Sequence, residues 1–229
     1  MTPSANPFIA LIDLFRSPAE CLAGVFQRPK WGWFAWLFII LSPFMFWGYY
    51  FDLVNQTWLF NNIVAQNPFF ADGENTEWLT IDLLLTSEVI KDIVGRTAVI
   101  LFMALWFTLA TREQENKLGF LRWLGVSCFI FLPMVIGDVA SYVNVLFNYG
   151  QVMPNTADLN SLNGLLKLPM NHPWASFAET IPLLMPWYVA LSYIALSMTT
   201  SFQRGHAMSV ALLPWLGLLI IWPISIVLF

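Results

Sequence analysis

The chain has 229 residues, of which 58% are apolar and only 10% are charged, and its net charge is −4. An ordinary soluble domain carries roughly a quarter charged residues, so this chain lacks the polar side chains needed to cover a soluble core. The composition therefore predicts an integral membrane protein whose main solvent is the lipid bilayer. The ten Lys and Arg residues are scattered singly, which excludes a basic stripe for nucleic acid.

Two short helices are predicted before the first long apolar run. The first follows Asn6 as N-cap and Pro7 at the first helical position, and its apolar residues recur with helical spacing. The second begins at Ser17-Pro18-Ala19-Glu20, which has the spacing of a capping box, and ends before Pro29. The apolar positions of the two helices are Phe8, Leu11, Ile12, Phe15, Leu22 and Phe26.

These amphipathic helices, within residues 1–33, are predicted to lie on the cytoplasmic face of the membrane. One interpretation is a surface on which a partner protein docks. The other is an interfacial anchor that packs against the spans of the same chain. Sequence alone leaves both open.

Five apolar stretches reach the ~20 residues needed to cross ~30 Å of hydrocarbon. They predict an all-α, polytopic membrane domain, with a break of the third span near Pro133 as an alternative to a straight helix. The predicted spans lie near residues 34–53, 93–110, 123–145, 177–199 and 208–229.

The distribution of basic residues predicts a cytoplasmic N-terminus and an external C-terminus, because Lys and Arg near span ends are retained in the cytoplasm. This orientation places seven basic residues inside and three outside. The inner ones are Arg16, Arg28, Lys30, Arg112, Lys117, Arg122 and Arg204, and the outer ones are Lys91, Arg96 and Lys167.

Two external loops, near residues 54–92 and 146–176, are too long to be structureless in a compact protein. The first is rich in aromatic residues, and Asn67-Pro68 and Asp72-Gly73 predict turns between a helix near 58–66 and another that starts near Thr76. The second helix is predicted to continue into the second span. Both loops are expected to fold onto the membrane.

Three charged residues fall more than one residue inside the ends of the predicted spans, at similar, outer-leaflet depth: Arg96, Asp138 and Glu179. An ionisable group in hydrocarbon costs at least ~2.5 kcal/mol, so each is a functional candidate. Together they predict either an ion-paired cluster that fixes how three spans pack or a polar cavity open to the outside. Separate snorkelling to the headgroups is the simpler alternative.

Few residues in the sequence could form a catalytic or metal-binding site. His172 and His206 fall on opposite sides of the predicted membrane, and Cys21 and Cys128 lie at different depths, so neither pair can share a site. No nucleophile, ligand set or phosphate loop accompanies the two acids. The sequence predicts no catalytic residue, no metal site, no cofactor and no enzyme activity.

Two segments resemble a known family. Leu14-Phe15-Arg16-Ser17-Pro18, followed by a short helix, Pro29 and an aromatic-rich first span, is similar to the start of bacterial members of the Rab/Ypt-interacting-protein (YIP) family. The run Cys128-Phe129-Ile130-Phe131-Leu132-Pro133 resembles that family's third span. The five-span layout with a cytoplasmic N-terminus is also similar, and the resemblance covers essentially the whole chain.

The resemblance implies a non-enzymatic membrane protein. Eukaryotic relatives bind Rab GTPases and one another in the secretory pathway, and some bacterial relatives accompany MacB-type ABC exporters. This chain lacks the long N-terminal region typical of the eukaryotic branch, so the resemblance implies a bacterial cytoplasmic membrane.

The leading functional hypothesis is an accessory or scaffolding subunit that binds other integral membrane proteins, either ABC exporter subunits or further copies of itself. The alternative is a transporter of small molecules or lipids that uses the outer-leaflet polar cluster. Six prolines inside predicted spans favour kinks suited to the alternative, but no inverted repeat accompanies them. They are Pro43, Pro133, Pro182, Pro186, Pro214 and Pro223.

Overall fold

A computed structural model describes residues 2–66, 78–115 and 117–228, and about three quarters of this part of the chain is helical. The turns predicted at Asn67-Pro68 and Asp72-Gly73, and the helix start near Thr76, lie outside the described residues. The helices are α1 (Pro7–Arg16), α2 (Pro18–Gln27), α3 (Trp31–Leu53), α4 (Gln56–Gln66), α5 (Ile81–Ala110), α6 (Phe120–Phe131), α7 (Met134–Phe147), α8 (Pro154–Ala157), α9 (Leu162–Leu166), α10 (Ala175–Thr180), α11 (Met185–Thr199) and α12 (Arg204–Leu228).

Four helical stretches in the described residues are long and apolar enough to cross a membrane: Trp31–Leu53, Ile81–Ala110, Phe120–Phe147 and Arg204–Leu228. The predicted all-α, polytopic class is confirmed. The remaining predicted span, 177–199, is divided between α10 and α11. At 15 residues α11 is about 22 Å long, less than the ~30 Å of a hydrocarbon core. The count of five membrane spans therefore stays a prediction.

Proline residues explain where the helices of the predicted spans are interrupted. Pro133 lies in the turn between α6 and α7, where the sequence predicts a break. Pro182 lies in the extended segment between α10 and α11, and Pro186 occupies the first turn of α11, where a missing N–H costs no helical bond. Pro43, in contrast, lies within the continuous helix α3.

The chain divides into two compact units. The first comprises Met1–Ile40, Val94–Pro133 and Met185–Ile221, and the second comprises Leu41–Ile93, Met134–Leu184 and Trp222–Phe229.

The core of the first unit forms where α1 packs on α2 and α2 packs on α6 and α11. Asn6 caps α1 as predicted, because its side chain accepts a hydrogen bond of 2.9 Å from the Ile9 N–H. The capping box predicted at Ser17 is wrong. The Ser17 side chain makes no capping hydrogen bond, and Glu20 instead accepts from the Thr2 N–H.

Trp123 of α6 is the central side chain of this core and is fully buried. Its ring lies between Phe26 and Phe107, and its Nε1 donates to Thr111 Oγ1 at 3.2 Å. A buried indole needs such an acceptor, because an unpaired N–H in this environment would cost about 1–3 kcal/mol.

The second unit has an aromatic core built around the C-terminal half of α3. Trp47 Nε1 donates to Asp92 Oδ2 at 2.8 Å, and the Tyr50 hydroxyl donates to the Val152 carbonyl at 2.6 Å. Leu59 and Ile63 of α4 are buried in the same cluster. The helix predicted near 58–66 is thus confirmed as α4, folded against the protein by its apolar side.

Candidate functional site

Each of the three predicted ionisable residues lies on a helix. Arg96 of α5 is 7% exposed, Asp138 of α7 is 2% exposed, and Glu179 of α10 is partly exposed. Arg96 donates to the Ile39 carbonyl at 3.4 Å within the first unit. That Arg96, Asp138 and Glu179 act as one cluster stays a prediction.

Asp138 sits in a group of polar side chains within the second unit. Its carboxylate accepts hydrogen bonds from Ser42 Oγ of α3 and, at 2.8 Å, from Asn160 Nδ2 of the segment between α8 and α9. A buried carboxylate must be compensated in this way, since an unpaired one would be too costly to keep ionised. Asp138 therefore ties a span to a loop.

Gly137 makes room for this contact. A Cβ atom at position 137 would lie 1.6 Å from Asn160 Oδ1, so the Asn160 amide rests directly on the α7 backbone. Only glycine permits that approach without displacing the amide.

A second carboxylate, Asp158, organises the same loop. Its Oδ1 accepts from the Asn160 N–H at 2.7 Å and lies 3.2 Å from Ser141 Oγ, and Ser141 Oγ in turn accepts from the Leu159 N–H at 2.7 Å. Ser141 is fully buried on α7, one turn from Asp138. The loop after α8 is thus held to α7 through side-chain oxygens.

The loop also pairs with the break between α10 and α11. The Leu162 N–H donates to the Ile181 carbonyl and the Leu183 N–H donates to the Asn160 carbonyl, both at 2.8 Å, which places Ser161 opposite Pro182. Pro182 needs no partner there, because the flanking residues supply both donors. The segment lies within the predicted span 177–199, and non-helical backbone in a span is tolerated only when it is paired inside the protein.

Glu179 has a partner that the sequence interpretation did not assign to it. Lys91 Nζ lies 2.9 Å from Glu179 Oε1 and also pairs with Glu88, one turn earlier on α5. The Lys91 side chain is half exposed. Lys91 and Glu179 are therefore partly exposed, whereas the Glu88 side chain is mostly buried.

Replacing Glu179 by Gln is expected to lower the free energy of unfolding by no more than about 1 kcal/mol, because exposed ion pairs contribute little and are screened by salt. Thermal unfolding in detergent at low and high ionic strength measures the effect, with Lys167→Gln as a control for loss of one charge at an exposed position. A larger loss that salt does not reduce would instead support a buried role for Glu179.

Sequence reasoning missed Ser42, Ser141, Asp158 and Asn160. A signal was present, since Asn155, Asp158, Asn160, Ser161 and Asn163 crowd into nine residues of an otherwise apolar chain. The density of polar residues indicates a loop that must satisfy buried backbone groups. It does not indicate which helix the loop contacts.

The predicted docking residues separate into two groups. Leu22 is fully buried, and Phe26 is half-buried with its ring edge-on to Trp123, so both pack inside the first unit. Leu11 is also half-buried. Phe8, Ile12 and Phe15 are exposed on α1, together with Ile9. We call these last four residues the α1 outer face.

The chemistry available elsewhere is limited. Within the described ranges, no group of three or more His, Cys, Asp and Glu side chains is placed to hold a metal ion. Cys21 and Cys128 are free and buried, and burial raises the pKa of the Cys21 thiol to about 12, with a smaller contribution from Asp13. At neutral pH that thiol is protonated and a poor nucleophile.

The fold and these polar groups define an all-α, polytopic integral membrane protein in which α7, the loop after α8 and the helix break at Pro182 are joined by hydrogen bonds. A family model for the Yip1 domain matches residues 12–225. The chain belongs to the Yip1 domain family. No curated protein and no solved structure matched it. Membership agrees with the predicted resemblance and fits a non-enzymatic role in a membrane.

Proposed function

We propose that this protein is an accessory or scaffolding subunit that binds another integral membrane protein through the α1 outer face. The observation that carries the proposal is that α1 is held firmly on one side while its other side stays apolar and exposed. Phe8 is 64% exposed and Ile12 56%, whereas Ala10 and Leu14 on the opposite side are fully buried.

Several contacts hold α1 in place. Ser4 Oγ donates to Asp13 at 2.6 Å, Arg28 donates to the Ser4 carbonyl at 3.1 Å, and the Ser4 N–H donates to the Glu20 carbonyl at 3.2 Å. A lipid anchor requires only an apolar face toward the membrane and no fixed position relative to the rest of the chain. A helix held in one orientation is better suited to recognising a shaped protein surface.

The α1 outer face continues onto longer helices of the same unit. The Phe8 ring lies 4.7 Å from that of Phe34 on α3, and Phe15 stacks on Trp187 of α11 at 6.4 Å. A partner helix that crosses the membrane beside α3 or α11 would meet this surface as it emerges. Apolar and aromatic anchors of this kind dominate helix recognition.

In a bacterial cytoplasmic membrane, the location proposed here, a MacB-type ABC exporter is the partner that the family resemblance favours. A second copy of this chain is the other candidate. Both are integral membrane proteins and would meet the α1 outer face at the same depth.

Co-purification from native membranes in mild detergent tests the proposal. The doubly substituted Phe8→Ser, Ile12→Ser protein is expected to lose its co-purifying membrane protein at least tenfold. Ile221→Ser, which alters an equally exposed apolar position on α12, is expected to retain it. Equal recovery with both variants, or a lone monomer in several mild detergents, would overturn the proposal.

Transport is the second candidate, and the buried Asp138 carboxylate is the observation that favours it. In reconstituted vesicles, flux that is lost in Asp138→Asn while the folded fraction is unchanged would support transport. Unchanged flux would remove this carboxylate from any transport mechanism.

A further inference from the structure

An apolar cavity of about 500 Å³ opens in the first unit between α3, α5 and α6. Its size falls within the range of ~300–1,000 Å³ that is typical of small-molecule sites. The walls are chiefly aromatic and aliphatic side chains. They include Trp33, Trp36, Ile100, Leu101, Leu121 and Leu124.

The cavity exists because two helices approach at glycines. Gly32 of α3 and Gly125 of α6 line it, and a Cβ atom on Gly32 would lie 2.5 Å from the Gly125 Cα. Backbone contact at this point brings the helices together without side chains that could fill the adjoining space.

The indole N–H of Trp36, in the wall of the cavity, already has a hydrogen-bond acceptor. Trp36 Nε1 donates to Thr97 Oγ1 at 3.2 Å, so the wall offers a hydrocarbon surface to an occupant. Leu121, 72% exposed, and Trp33, 64% exposed, lie at its edge on helices that are apolar enough to cross a membrane. The cavity is therefore reachable from the surrounding lipid.

A positive charge lies at one end. Among the described residues that line the cavity, Lys30 is the one with a charged side chain, and it is exposed just before the start of α3. Arg28 adds a second cation nearby, with its guanidinium 4.8 Å from the centre of the Trp31 ring. An apolar slot that ends in a cation is complementary to an acyl chain that ends in an acidic headgroup.

We propose that this cavity binds an acyl chain of an anionic phospholipid whose headgroup phosphate pairs with Lys30. The site is independent of the α1 outer face, and it is a bound-lipid site, distinct from the general lipid contact of the other spans. Basic residues near a membrane surface attract anionic lipids, and the cavity adds burial of the acyl chain.

The full chain is reconstituted in phosphatidylcholine vesicles that contain a phosphatidylglycerol probe with a photoactivatable acyl chain, and cross-linked peptides are mapped by mass spectrometry. Cross-links are expected to concentrate on residues 29–36 and 121–128. Lys30→Gln is expected to lower their yield at least fivefold, and Lys30→Arg is expected to restore it.

Leu124→Trp tests the cavity itself, because the larger ring would occupy the space, and at least a tenfold loss of cross-linking is expected. Leu37→Trp is the matched control, since Leu37 is exposed on α3 but does not line the cavity. If Leu124→Trp fails to fold, Lys30→Gln still tests the proposal, because replacing an exposed lysine should not prevent folding.

Three results would overturn the proposal. One is labelling spread evenly along exposed spans such as α12 and unaffected by the variants. Another is equal labelling by a phosphatidylcholine probe, which would remove the acidic headgroup from recognition. The last is cross-linking between two copies of the chain at these peptides, which would show a protein occupant.

Discussion

Gly32→Ala is expected to destabilise the protein by about 1–3 kcal/mol, the usual cost of overpacking a close contact. The new Cβ would lie 2.5 Å from the Gly125 Cα, and a backbone atom cannot move aside as the end of a flexible side chain can. The two helices must separate. Gly125→Ala is expected to act similarly, because its Cβ would lie 2.6 Å from the Pro29 carbonyl oxygen.

The matched control is Gly48→Ala in the same helix, where an added Cβ meets no atom within 4 Å. In a helix interior this change is expected to be neutral or to stabilise by up to about 1 kcal/mol, from helix propensity alone. Thermal unfolding of the purified proteins in one detergent measures all three. Equal behaviour of Gly32→Ala and Gly48→Ala would show that the close approach of α3 and α6 is not important for stability.

Asp138→Ala is expected to lower the free energy of unfolding by roughly 2–4 kcal/mol, since each hydrogen bond to a buried charged group contributes about 1.5–3 kcal/mol. The substitution removes the acceptor of Ser42 Oγ and Asn160 Nδ2 and leaves both donors inside the protein. The loop after α8 loses one of its attachments to α7. We also expect faster proteolysis of residues 158–161 in the variant.

Asp138→Asn removes the negative charge of the side chain but nearly keeps its shape, so it shows how much of the effect depends on charge. It keeps one oxygen acceptor and nearly the same volume, so its loss of stability is expected to be smaller than that of Asp138→Ala. Asp52→Ala, at an exposed position of α3, is the control and is expected to change stability by less than about 0.5 kcal/mol. If Asp138→Ala proves as mild as Asp52→Ala, the contacts of Asp138 are unimportant for the folded state.

The two Asp138 variants also separate structure from transport. A structural role predicts that flux, if any is measured, falls in proportion to the folded fraction. A transport role predicts that Asp138→Asn abolishes flux while the protein remains folded. The same purified samples serve both measurements.

Local sequence signals predicted much of the secondary structure. The Asn6 cap, the break at Pro133 and the helix α4 could all be predicted. Caps, prolines and apolar runs determine the backbone conformation of residues only a few positions away. The second span was predicted to continue a helix from the external loop, and α5 is one helix of 30 residues. The Ser17 capping box failed because the Ser17 N–H, which Glu20 would have to pair with, already donates to the Asp13 carbonyl at the end of α1.

Contacts between distant parts of the chain were not predictable in the same way. Ser42 and Asp138 are 96 residues apart, and Lys91 and Glu179 are 88 apart. In a soluble protein the apolar face of a helix shows which side meets the core. In a membrane the lipid-facing side is equally apolar, so the sequence pattern does not show which helix faces meet.

The sequence by itself determined that this chain is an all-α membrane protein, because composition and the length of apolar runs depend only on solvation by lipid and on helical rise per residue. Its resemblance to the YIP family rested instead on two short segments, residues 14–18 and 128–133. Only the tertiary structure decided three contacts. The loop after α8 packs on Asp138, the helix break at Pro182 is hydrogen-bonded to that loop, and Gly32 contacts Gly125. These contacts arise from packing and from the need to pair buried polar groups across the fold, which no local pattern encodes.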